Sequence, residues 1–112
     1  MGGNLKVCVK YYSQAIDLFR GLNNRFRLVS SLTGRAAAYS MRAFLVSVSS
    51  TSSSEAISDL TEAIQIAAEI SSFSGRAWAY WALGMLYIVN GQFGKSLEAL
   101  HHGLKLALEI EH

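Results

Sequence analysis

The chain repeats itself. LTGRAAAYSMRAF from Leu32 lies over FSGRAWAYWALGM from Phe73 at an offset of 41, and Ser30-Ser31 lies over Ser71-Ser72 at the same offset. SQAIDLF from Ser13 falls over SEAISDL from Ser54, again 41 residues on. At an offset of 40, EAISDLTEAIQIAAEI from Glu55 lies over KSLEALHHGLKLALEI from Lys95. A unit of this length cannot bury its apolar face by itself, so the pattern demands a stack of similar units.

Each unit reads as two helices. The 112 residues contain no proline, and Ala, Leu, Ile, Glu and Arg recur at helical spacing. A first helix, A, is expected over 34–48 and 75–90; a second, B, over 13–29, 53–70 and 93–109. In the middle B helix Ala56, Leu60, Ala63, Ile64 and Ala67 form an amphipathic stripe, with Asp59, Glu62 and Glu69 off it and expected to face water. Ser52-x-x-Glu55 has the spacing of a capping box, and Asn90-Gly91 supplies a break. The fold class expected is all-α, with about five helices.

At the last unit the sequence resembles the tetratricopeptide repeat family. Tyr80, Leu83-Gly84, Tyr87, Gly91-x-Phe93, Ser96-Leu97, Leu100 and Gly103-Leu104 fall at the spacings of its signature residues. The 40–41 residue period resembles an extended variant found in bacterial regulatory and scaffold proteins. The resemblance implies a right-handed superhelix of antiparallel helix pairs, divided as a partial unit 4–30, a unit 33–71 and a unit 74–111. It also implies close helix approach at Gly84, Ser96 and Gly103. The middle unit departs from the signature, with Arg42-Ala43 at the Leu83-Gly84 position and Val46 at that of Tyr87.

The resemblance implies a concave side lined by A helices and used for protein or peptide binding. On the last A helix that face is Trp78, Trp81, Met85 and Ile88; the matching positions of the middle A helix are Ala37, Ser40, Phe44 and Ser47. Two readings stay open. These large side chains form a groove for a partner, or they pack against the preceding B helix or a following repeat.

Charge runs along the chain: residues 1–54 hold seven Lys/Arg against Asp17 alone, and residues 55–112 hold three against seven acids. A basic patch of Arg20, Arg25, Arg27, Arg35 and Arg42 makes nucleic acid a rival partner, disfavoured because the net charge is only +2 and no helix carries a dense basic stripe. Head-to-tail alignment of charge-polarised arrays is the alternative use.

Little points to chemistry. His101 and His102 are adjacent on a helix and point about 100° apart, which prevents chelation of one metal by both. CxxC, HExxH and GxxxxGK[ST] motifs are absent. Cys8 is the single cysteine and is expected as a small, partly buried thiol. The uncharged stretch Ala77–Val89 has 13 residues, short of the roughly 20 needed to span a bilayer. The expectations are therefore a non-enzymatic, cytoplasmic protein–protein interaction segment of a larger signalling protein, without cofactor, metal or membrane. Self-association through the ends of the array is the second hypothesis.

Overall fold

The computed structural model describes the backbone of residues 2–46 and 50–110 and the side chains of residues 4–41 and 54–109. Five helices follow one another: α1 (Gly2–Gly21), α2 (Arg25–Val46), α3 (Ser50–Glu69), α4 (Phe73–Val89) and α5 (Phe93–Ile110), with no strand among the described residues. The fold is all-α, as the repeat requires.

Three of the four connections use one device. Asn23, Ser71 and Gly91 take positive φ values of 55°, 56° and 74°. In each, the next residue's N–H reaches back to the carbonyl five residues earlier: Asn24 to Phe19 at 2.9 Å, Ser72 to Ala67 at 2.8 Å, Gln92 to Tyr87 at 2.8 Å. These are Schellman turns, which satisfy carbonyls the helix end leaves open. In two of the three, the turn's last residue then caps the following helix with its side chain. Asn24 Oδ1 accepts from the Arg27 N–H at 3.2 Å, and Ser72 Oγ accepts from the Gly75 N–H at 3.1 Å.

These turns correct the register of the first two units. The helix expected over 13–29 does not form, because Asn23-Asn24 breaks it, and Ser30-Ser31 lies inside α2 instead of in a turn. α2 opens at Arg25, not at Gly34, so its positions match those of α4 at an offset of 48. A slip of seven residues is nearly two helical turns and leaves the apolar face almost unchanged, so the periodicity could not expose it. In this register Tyr39 stands at the position of Tyr87 and the small Ala36 at that of Gly84, while Leu32 and Arg35 stand at those of Tyr80 and Leu83. Ser52 stands within α3, which begins at Ser50, and does not cap it.

Packing follows sequence neighbours, with one addition. Each helix packs on the next, and α2 also touches α4, while among the described residues the backbones of α1, α3 and α5 stay apart. The Cα atoms span 42 × 37 × 18 Å, the thickness of two helices. One continuous core joins Ile16 of α1, Leu28, Val29, Leu32 and Ala36 of α2, Leu60 and its alanine neighbours Ala56, Ala63 and Ala67 of α3, and Ala79 and Leu86 of α4. The alanines let α3 lie close to both α2 and α4.

Small residues set the α4–α5 approach, at the positions expected. A Cβ on Gly84 would stand 2.6 Å from Leu100, and one on Gly103 would stand 3.3 Å from the Ala77 carbonyl. Ser96 is buried and donates its hydroxyl to the Gly84 carbonyl at 2.9 Å. The ring of Tyr12 occupies the equivalent space over Gly34, bringing α1 onto α2.

Candidate binding face on helices α2 and α4

α4 is apolar on both sides, and only one side is used by the fold. Tyr80, Leu83 and Tyr87 are half-buried and, with Ala99 and His102 of α5, line one side of the α4–α5 contact; Gly84 is buried there. The ring of His102 stacks on Tyr80 with centroids 5.3 Å apart. On the opposite side Trp78 is 62 % exposed, Trp81 53 %, Met85 45 % and Ile88 41 %. At spacings of three, four and three these residues form a continuous stripe on one helix. Within the chain these four side chains stay exposed instead of being covered by the preceding helix, whereas Ala79 and Leu86 of α4 belong to the core.

α2 provides the neighbouring strip. Phe26 is 64 % exposed and Met41 50 %; Ser30 and Ala37 are exposed, and Ser40 is half-buried with its hydroxyl returned to the Ala36 carbonyl at 2.9 Å. A cleft of about 160 Å³ lies where α2 and α4 begin, with Phe26 and Trp78 on its two walls and Ser30, Thr33, Ser72 and Ser74 between. No charged side chain lines it. Thr33 is buried, and its hydroxyl is satisfied by the Val29 carbonyl at 2.9 Å.

Trp78, Trp81, Met85 and Ile88 share the exposed face of α4, and Ala37 and Ser40 belong to the strip on α2. Phe44 lies in α2 but its side chain is outside the described residues, as is all of Ser47. The matching of the two helices shifts by seven residues, so Ser30, Thr33, Ala37 and Ser40 stand where α4 has its two tryptophans, Met85 and Ile88. Phe26 and Met41 are additions. Phe26 was hidden because residues 13–29 read as one helix of the preceding unit.

The surroundings also revise the charge reading. Arg20 pairs with Glu62 at 2.7 Å, Arg25 with Glu69, and Arg35 with Asp59 at 2.8 Å. The excess of base in the first half and of acid in the second therefore meets inside the chain, between α1–α2 and α3. Arg27 lies over the Phe19 ring at 6.0 Å, and the Arg42 side chain is outside the described residues. Cys8 is exposed on α1, contrary to expectation. No helix among the described residues is long and apolar enough to cross a membrane.

No protein-family model, curated protein or solved structure matches this chain.

Proposed function

We propose that this chain is a protein-interaction module that receives an apolar stripe of another protein's helical segment along the face of α2 and α4. One observation carries the reading: Trp78, Trp81, Met85 and Ile88 lie side by side on α4 and are each at least 41 % exposed. Contiguous large apolar side chains of this kind are rare on surfaces that meet only water, and Trp and Met supply large, adaptable contact areas. Two adjacent helices with an uncharged cleft between them suit the helix-in-groove mode of recognition.

The resemblance to tetratricopeptide repeats adds to this reading, since it implies the same side of the array as the binding side. On that resemblance the chain is a scaffold or sensor segment of a larger cytoplasmic signalling protein, and its work is binding without catalysis. Nucleic acid fits poorly, because three of the five arginines that would form a basic patch are paired with α3 acids.

The test is a selection of displayed amphipathic peptides on the folded chain, repeated with Trp78→Ala/Trp81→Ala. The reading expects peptides with aliphatic residues at helical spacing to be enriched on the parent and lost on the double variant, whose helical circular dichroism is unchanged. Equal enrichment on both chains would remove the face from consideration.

A further inference from the structure

Among the described residues α5 packs on α4 alone, burying Ser96, Ala99, Gly103 and Leu106. A second apolar stripe runs along the same helix. Phe93 is 64 % exposed, Leu97 70 %, Leu104 60 % and Leu108 52 %. At 100° per residue this stripe is turned roughly 130° from the face laid on α4, so the intramolecular packing leaves it uncovered.

The stripe is its own mirror in sequence. Phe93 and Leu108, and likewise Leu97 and Leu104, are each centred between Leu100 and His101. Two copies of α5 running antiparallel about a two-fold axis at that point place Leu97 against Leu104 of the second copy, and Phe93 against Leu108. The charges obey the same symmetry. Glu98 and Lys105 flank one edge of the stripe, and the axis brings each within about one helical turn of its opposite number on the second copy. Both are exposed and neither has an ion pair within the chain among the described residues. α5 as a whole carries Lys95 and Lys105 against Glu98 and Glu109, so pairing with itself brings no net repulsion.

α1 has an uncovered stripe of the same spacing, Val7, Tyr11, Leu18 and Leu22. It is the poorer partner for α5, because the edge that would meet Glu98 and Lys105 carries Cys8, Tyr12 and Phe19 and no charge. It is also the poorer partner for itself, since Lys6 and Lys10 outnumber Asp17 there.

We infer that a second copy of this chain covers the outer face of α5, the two helices pairing antiparallel about an axis beside His101. The inference rests on the residues of α5 and not on the α2–α4 face.

Light scattering across a concentration series tests it, on the chain and on three kinds of variant. The parent is expected to reach a dimer, and Leu97→Glu/Leu104→Glu to remain a folded monomer with unchanged helical circular dichroism, since neither side chain is part of the buried core. Glu98→Lys and Lys105→Glu are each expected to weaken the dimer several-fold, and the two together to restore it. In a Cys8→Ser background, His101→Cys is expected to form a disulfide across the axis under mild oxidation. A parent that stays monomeric at every concentration overturns the inference, as does a dimer indifferent to Leu97→Glu/Leu104→Glu. Failure of the double charge swap to restore pairing, or of His101→Cys to cross-link, overturns the antiparallel arrangement.

Discussion

Arg35 of α2 holds Asp59 of α3 with two parallel hydrogen bonds, Nε to Oδ2 and Nη2 to Oδ1, both at 2.8 Å. Its remaining nitrogen, Nη1, donates to Ser13 Oγ of α1 at 3.1 Å, so one guanidinium ties three helices together. The hydrogen bond to Asp59 pushes Arg35 above its already high pKa, so the guanidinium keeps its charge. With side-chain exposures of 22 % and 8 % the pair is shielded from water, unlike Arg20–Glu62 at 52 % and 37 %. Removing one partner leaves the other charge partly buried and unpaired. Asp59→Asn is expected to cost about 2–4 kcal/mol in urea unfolding. Glu62→Gln is expected to cost under about 1 kcal/mol. Equal effects would mean that the first pair is as solvent-screened as the second.

The three Schellman turns are not equally well served by their residues. Gly91 adopts its positive φ at no steric cost, whereas Ser71 holds 56° with a side chain. Ser71→Gly is expected to stabilise the chain by about 0.5–1 kcal/mol, and Gly91→Ala to destabilise it by about 1 kcal/mol. Chemical denaturation of the two variants reads both signs. A loss of stability in Ser71→Gly would contradict the left-handed turn.

Glycines inside the helices divide by what surrounds them. A methyl on Gly84 would push into Leu100, but one on Gly94 would meet nothing within 4 Å. Gly84→Ala therefore adds volume to a closed contact and is expected to destabilise by about 1–2 kcal/mol after the gain in helix propensity. Gly94→Ala takes only the gain, up to about 0.5–1 kcal/mol. The thermal midpoints should move in opposite directions.

Tyr39 couples the α2–α3 contact to alkaline pH. Burial, followed by the charge of Glu55, raises its pKa above the ordinary 10.0. Above pH 10 the unfolded chain then releases this proton before the folded chain does. Stability that is fully present below pH 10 falls as pH rises through the folded value. Tyr39→Phe is expected to flatten the alkaline slope of the unfolding free energy; an unaltered slope would place the phenol in water.

The repeat, the helix count and the α4–α5 hairpin were all legible in the sequence, because Gly84, Ser96 and Gly103 mark a close approach that few other residues allow. The exposed α4 stripe was legible as a face, though not its exposure, since periodicity alone does not say which of two apolar sides meets another helix. The α1–α2 break was not legible. Asn23 and Asn24 make a turn chemically equivalent to Ser71-Ser72 and Gly91-Gln92, but the similarity of GRAAAY to GRAWAY favoured a register two helical turns away. The ion pair to Asp59 follows from that register: Arg35, standing where α4 has Leu83, is the hub of the α2–α3 contact.

Trp78 and Trp81 are the only two tryptophans in the chain, so their fluorescence reports on the proposed face and on nothing else. The most direct measurement is the emission spectrum and acrylamide quenching of the folded chain, before and after addition of a peptide selected on it. The account predicts long-wavelength, readily quenched emission from the free chain, shifting to shorter wavelength and gaining protection when the peptide binds. Short-wavelength, quencher-resistant emission from the free folded chain would contradict it, because the two indoles would then already be covered.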